Sequence, residues 1–241
     1  MSQVVTLSIF KYSNWLNKFW AFGMMQFAHK HLVKEKKCSF YKLMGSGKEN
    51  FNPLPDWSVY SLLQVWDEPP AATNFFRYSE LFQKYRVHAS EILVLHLHPI
   101  QAHGKWNAKM PFQIDKKKNE KAMIAAITRA SIKKSKLRTF WKFVPRSQEP
   151  LHHAKGLIYT KGFGEVPITE MATFSIWEKE EDLKNYAYKS REHAEAIRKT
   201  RKLDWYKEEM FSRYEIIDIF GSWETADIPA DNFKPISQIA F

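Results

Sequence analysis

The chain has 241 residues, 44% hydrophobic and 26% charged, with 8 Gly and 11 Pro, a composition that excludes a fibrous or disordered protein and allows one large core or two small ones sharing an interface. Its single cysteine, Cys38, excludes an internal disulfide and any cysteine-rich metal or iron–sulfur site, so a cytoplasmic location is expected. The net charge of +11 is spread in short runs at 34–37, 116–118 and 133–136 with no nucleic-acid motif beside them; it reads as a solvated basic surface, with no nucleic-acid partner expected and peripheral attraction to an anionic membrane as its second use.

Lys11 and Lys18 interrupt the apolar residues at the start of the chain, so no signal peptide is expected there. Nor does any stretch approach the roughly 18 apolar residues of a spanning helix. Alternating Val5, Leu7 and Ile9 predict a strand, and Leu16, Phe19, Trp20 and Phe22 predict a helix. A strand from Phe40 to Met44 runs into Gly45-Ser46-Gly47, and a second, from Val59, ends on Trp66 before two acids. A helix over 71–88 and a strand from Ile92 to His98 complete the first half.

After residue 120 the same order returns. A strand through Ala126, Thr128 and Ala130 precedes Leu137, Phe140, Trp141 and Phe143, which repeat the earlier L-x-x-F-W-x-F at a displacement of 121. A strand from Leu157 to Lys161 meets Gly162-Phe163-Gly164, the expected counterpart of the first glycine pair. Ala172 to Trp177 matches the first tryptophan strand, a helix is predicted over 180–206, and Tyr214 to Phe220 closes the half. Each half thus reads strand–helix–strand–strand–helix–strand, a ferredoxin-like βαββαβ unit. Each sheet has helices on one face only, so two fused units are expected to cover each other as a pseudo-twofold α+β barrel. The expected divisions are 1–104, a linker over 105–121, 122–223 and a tail over 224–241. The glycine pairs are read as turns, because Gly45-x-Gly47 lacks the Lys-Ser/Thr of a phosphate loop.

The halves differ where packing alone would keep them alike. At the 121 displacement Ser8 and Phe10 fall opposite Arg129 and Ser131, so a guanidinium and a hydroxyl stand where the first half has a ring. Aligned on Trp66 and Trp177, Phe82 falls opposite His193, on the mostly apolar stripe of Leu183, Tyr186, Ser190, Ile197 and Arg201. On spacing alone His193 suits a structural role or a metal-ligand role. The aromatic residues of this half, Trp141, Phe163, Phe174, Trp177 and Tyr186, serve as core or as walls for a planar or polyene ligand. His96 and His98 share a strand face and, with the other histidines, are read as structural or surface residues. No nucleophilic triad or dinucleotide fingerprint is present.

Met44-Gly45-Ser46-Gly47, the Thr128–Ile132 run, the Gly162–Pro167 run, Thr173-Phe174-Ser175-Ile176-Trp177 and the run from His193 to Arg198 together resemble the spheroidene monooxygenase family over about residues 39 to 223. The resemblance implies a haem-dependent oxygenase that introduces a keto group into a carotenoid. It also implies the dimeric α+β barrel of chlorite dismutase, aldoxime dehydratase and haem-degrading monooxygenases, in which the second helix of a ferredoxin-like unit supplies the proximal histidine. On that reading haem b is held by His193, with Trp141, Phe174, Trp177, Tyr186 and Ile197 around it. Arg129 and Ser131 would be the catalytic residues on the open side. Dioxygen, a hydrophobic small-molecule substrate and a separate electron donor, a reductase or a ferredoxin, follow as partners. A dehydratase or peroxidase-like haem enzyme, or a haem or lipid carrier, is the alternative on the same scaffold.

Overall fold

The computed structural model describes residues 3–48, 52–115, 119, 121–148, 151, 153–189 and 203–241. The first half runs β1 (Val4–Lys11), α1 (Trp15–Phe27), α2 (His29–Leu32), β2 (Cys38–Lys48), β3 (Asn52–Trp66), α3 (Pro69–Tyr78), α4 (Glu80–His88) and β4 (Glu91–Gly104). The second runs β5 (Ile124–Ile132), α5 (Leu137–Gln148), β6 (Leu157–Val166), β7 (Glu170–Trp177), α6 (Glu180–Lys184) and β8 (Tyr206–Gly221), followed by a short β9 (Phe233–Lys234). The strand order is β4-β1-β3-β2-β6-β7-β5-β8-β9, and β4 also pairs with β8, so eight antiparallel strands close on themselves. This is the α+β barrel of two ferredoxin-like units that the repeat predicts.

Two elements depart from the predicted boundaries. The helix expected over 71–88 is two helices, because Ser79 adopts an extended conformation with ψ 124°. The break turns Tyr78 into solvent while Phe75, Phe82 and Tyr85 stay buried. The helix expected over 180–206 begins as α6 and continues as a π-helical turn, Asn185–Lys189; residues 190–202 lie outside the described residues, and Tyr206 already belongs to β8. The predicted Tyr214 start therefore misses the first part of that strand.

The ladders fix which residues of the two halves correspond. Val4 pairs with Trp66 and Ile124 with Trp177, so β1 and β5 match at a displacement of 120, not 121. One residue is decisive, because neighbours along a strand face opposite sides. Arg129 is therefore the counterpart of Ile9 and Ser131 of Lys11; Ser8 and Phe10 correspond to Thr128 and Ala130. The glycine runs shift likewise. Gly45 pairs with Tyr60 and Gly164 with Met171, which makes Gly45 the counterpart of Gly164 and Leu43 that of Gly162. Gly45 and Gly164 pair with each other, as do His98 and Glu215, and these two self-pairings lie on the pseudo-twofold axis.

Three apolar clusters follow from the strand alternation. Val5, Leu7, Ile9, Leu63, Leu95, Ile127, Phe174 and Ile176 fill the barrel interior. Phe10, Leu43, Tyr60, Leu62, Val94, Phe82 and Tyr85 join the first sheet's outer face to its helices. Ile124, Ala126, Trp177 and Leu183 do the same for the second. The segment after β4 contributes Trp106 and Phe112 to the interior, and the segment after β8 contributes Trp223, Ala226 and Ile228. Ile239 from the C-terminal residues is buried with the first helical layer.

Both ends of the β4–β8 seam carry the same device. Gly104 and Gly221 have φ of 88° and 98°, and the backbone N–H after each donates to a carbonyl of the opposite strand, Lys105 to Glu209 and Ser222 to Ile92. The turn then drops Trp106 or Trp223 into the barrel, each T-shaped against a ring of β2 or β6, Phe40 at 5.7 Å and Tyr159 at 6.1 Å. A Cβ on Gly221 would lie 2.0 Å from the Ile92 carbonyl oxygen, and one on Gly104 would lie 2.2 Å from that of Glu209. Positive φ and a backbone collision act together, so Gly221→Ala is expected to lose about 3 kcal/mol or more of stability in denaturant titration. Gly23→Ala, within α1 and clear of backbone, should lose none.

Candidate functional site

Aligning the outer faces by these pairings shows where the halves diverge. In the first half Phe10, Leu43, Leu62 and Tyr41 cover the sheet; their counterparts in the second are Ala130, Gly162, Thr173 and Thr160. Large side chains have been exchanged for small or hydroxylated ones at four neighbouring positions on one face. Exposure follows. Ser8, Leu62 and Val94 are fully buried under α3 and α4, whereas Thr128 is exposed and Thr173 and Phe211 are half-buried. By side-chain volume the outer face of the second sheet is thus hollowed where the first half has Phe10 packed against Phe82 and Tyr85, at 6.5 and 4.4 Å between ring centroids.

The floor and rim of this hollow are chemically mixed. Arg213 rises from β8 beside Ala126 and is only 2% exposed. Its Nη1 lies 3.8 Å from the Glu180 carboxylate at the start of α6, and its guanidinium is 6.0 Å from the Phe211 ring centroid. Trp177 closes one edge: its indole N–H donates to the Ser175 hydroxyl at 2.8 Å, and Tyr186 packs on the ring at 5.3 Å. Burial pushes the Tyr186 phenol up to about 12, so it stays protonated at neutral pH. Tyr186 stands in the π-helical turn, a geometry that recurs at functional sites. Among the described residues no three His, Cys, Asp or Glu gather as a metal site; a haem iron asks for one protein nitrogen. Small floor residues, aromatic edges and a buried cation suit a flat apolar group carrying negative charge.

The predicted site residues divide between two faces. Trp177 and Tyr186 belong to the outer layer beside the hollow. Trp141 in α5 donates its indole N–H to the Ile168 carbonyl in the β6–β7 turn at 3.1 Å, which fixes the helix over that hairpin. Phe174 is turned into the barrel interior, 6.2 Å from Tyr159, because it stands three residues from Trp177 and so on the other side of β7. His193 and Ile197 lie outside the described residues, as do Lys116 to Lys118.

Arg129 and Ser131 also face inward, at the barrel end sealed by Trp106. Arg129 is 3% exposed and bonds to the carboxylates of Glu170 and Glu208, with Glu165 at 3.8 Å and the Trp106 ring 5.9 Å away. Ser131 donates to Glu170 at 2.7 Å, and the Trp106 indole donates to Glu165 at 2.6 Å. Three carboxylates around one guanidinium, with Lys42 on Glu165, form an ion-pair cluster that ties β5, β6, β7 and β8 together. The pairing of these residues with Ser8 and Phe10 is corrected accordingly: the 121 displacement holds for the helices, and β1 and β5 sit one residue off it.

Arg213 is the residue that the sequence reading passes over, since it precedes the predicted strand by one position. Its signal is recoverable: Gly104-x-Trp106 and Gly221-x-Trp223 repeat at a displacement of 117, which places Arg213 opposite His96. His96 lies 3.3 Å from Asp218, and burial lowers its pKa despite that carboxylate. His29 bonds Tyr41, and His88 bonds Asn17 and stacks on Trp20. None of these imidazoles reaches the hollow.

No family model matches the chain. It is 34% identical over 227 residues to a spheroidene monooxygenase of Cereibacter sphaeroides, covering 93% of this chain and 70% of that one. With the spheroidene monooxygenase of Rhodobacter capsulatus the identity is 33% over 228 residues, covering 93% and 94%. Among solved structures, an aldoxime dehydratase aligns with a TM-score of 0.59 at 10% identity over 89% of this chain and 81% of that one. A second, in complex with butyraldoxime, aligns at 0.60 and 9% over 90% and 80%. Likeness at such identity speaks to the fold alone.

The inner cluster predicts a stability effect with its own pH signature. Arg129→Met leaves clustered carboxylates without their cation and is expected to lose about 3 kcal/mol or more in denaturant titration. Partial burial works against the Glu208 carboxylate, but the Ala108 and Asn107 N–H groups and Arg129 hold it below its ordinary 4.5. A depressed folded pKa contributes stability above the unfolded value and loses it as pH falls through the folded one. The wild-type protein should therefore lose stability on acidification below about pH 4.5, and Glu208→Gln should flatten that limb of the profile.

Proposed function

The chain belongs to the spheroidene monooxygenase family, and we propose that it oxygenates a long hydrophobic substrate of the carotenoid class, with haem b held over the hollow of the second sheet. The observation that supports this reading is the paired exchange across one layer: Phe10 and Phe82 fill the first half, and Ala130 and, by sequence, His193 stand in their places in the second. A filler pair in the first half thus aligns with a small residue and, in sequence, a histidine in the second. When bound, the haem would supply dioxygen activation.

The chain's own groups have separable tasks on this reading. The His193 imidazole would hold the cofactor. Arg213, buried in the floor, offers a fixed positive charge where negative charge develops on oxygen, in surroundings that exclude most water. Thr128, Thr173 and Ser175 add hydroxyls on the same face. Trp177, Tyr186 and Phe211 wall the hollow and keep an apolar chain in place. Arg129 and Ser131 serve the same site indirectly, by locking the strands that carry its floor.

Introducing a ketone at a methylene takes two oxygenations. Each consumes one dioxygen, two electrons and two protons, and releases one water. The first leaves an alcohol, and the second a geminal diol that loses water to the ketone. The electrons come from a separate reductase or ferredoxin, since the chain has no dinucleotide fingerprint.

Protein produced with haem supplied is expected to show a Soret band, and His193→Ala to lose most of it. Arg213→Gln should keep the band while product formation from a carotenoid falls about 10²-fold or more, the loss typical of removing one preorganised charge-stabilising group. An unchanged spectrum for His193→Ala would remove the cofactor assignment, and unchanged turnover for Arg213→Gln would remove that residue from the chemistry.

A further inference from the structure

Helix α1 is apolar on the wrong side for a helix that only covers a sheet. Its inward face holds Ala21 and Met24, while Trp15, Leu16, Phe19, Phe22 and Phe27 point outward, Trp15 being 73% and Phe19 69% exposed. Trp15, Phe19 and Phe22 follow helical steps of four and three with Leu16 and Phe27 along one edge, and exposed Trp57 of β3 extends the stripe, its ring 4.8 Å from Phe22. Single exposed hydrophobic residues are ordinary; a contiguous aromatic stripe is a docking surface.

Charge identifies what docks. Residues 11–37 contain six lysines against the single acid Glu35. Lys30, Lys34, Lys36 and Lys37 are exposed at the end of the stripe, and the Lys30 ammonium lies 5.8 Å from the Phe27 ring centroid. Tryptophan and phenylalanine on one side with a lysine rim is the composition of a helix that lies in the headgroup region of an anionic bilayer. Another protein surface would need its own matching apolar patch and acidic rim; an anionic bilayer offers both everywhere. Among the described residues no helix is long and apolar enough to span, so the helix would lie in the plane.

The stripe continues into the fold. A groove of about 680 Å³ opens beneath α1, lined by Phe22, Phe27 and Met25 of the helix, Leu43 of β2 and Val166 of β6. It crosses from the first half toward the β6–β7 turn that Trp141 grips, on the side where the second half begins.

We infer that α1 is a monotopic membrane-docking helix that seats the protein on an anionic lipid bilayer, with the groove mouth at the headgroup level. The docking stands without the carotenoid reading; for a substrate of that class it would supply the way in.

The full chain, with or without haem, can be spun with vesicles of phosphatidylcholine alone or mixed equally with phosphatidylglycerol. It should sediment with the mixed vesicles, less with phosphatidylcholine alone, and be released progressively by salt. Trp15→Ser with Phe19→Ser changes two largely exposed rings, so melting should be unaltered while the vesicle partition coefficient falls about tenfold or more. Lys30→Glu with Lys34→Glu should remove the preference for phosphatidylglycerol. Protein that stays in the supernatant with every vesicle would overturn the inference. So would a vesicle-independent dimer, seen by light scattering, that the double serine variant dissolves, because the stripe would then be a contact between copies of this chain. Neither readout involves turnover, so failure here leaves the catalytic reading to its own test.

Discussion

Antiparallel sheets with helices on one face leave the other face bare, and here two such sheets in one chain cover each other. That mutual burial determines the rest of the molecule. It forces closure through two seams, β2 against β6 and β4 against β8, and it gives every strand residue one of two fates, inside the barrel or under a helix. Because the halves are related by a pseudo-twofold that passes through both seams, the same corner appears twice, with a left-handed glycine and a tryptophan turned inward at each end. Among the described residues the barrel interior is lined by one apolar cluster, and the large-to-small exchanges lie in the layer outside it.

Those layers have diverged. In the first half aromatic rings from β1 and α4 interlock, and among the described residues the buried Gln64 amide and Ser8 hydroxyl have no hydrogen-bond partner. Buried polar groups without partners are costly and uncommon. Gln64 and Ser8 correspond to Ser175 and Thr128 of the second half, where hydroxyls line the hollow. The polar pattern is shared by both halves, whereas the bulky fillers belong to the first alone.

Much of this was legible in the sequence, and the failures have one physical origin. Strand order, helix order and the twofold repeat follow from alternation and from the L-x-x-F-W-x-F match, because core-facing periodicity survives divergence. Face did not follow, since it depends on parity: the loop joining strand to helix differs by one residue between the halves, so a displacement read from helices puts Arg129 on the face of Phe10 when it shares that of Ile9. Phe174 and Trp177 were grouped as neighbours for the same reason, although three steps along a strand separate two faces. Arg213 was missed because Lys207, Glu208 and Glu209 look like a helix end. Backbone pairing to β5 makes that charged stretch a strand, a tertiary effect that local composition does not report.

The two inward tryptophans also separate folding from chemistry. With a tryptophan turned in at each end, the packing of the lumen answers first to durability. The outer hollow borders that lumen through a single sheet, so residues such as Ala130, Gly162 and Thr173 can be exchanged for others without opening the interior. A lineage built on this plan can therefore retune what it accepts at low risk of unfolding, and variation among its members should gather on one side of three strands.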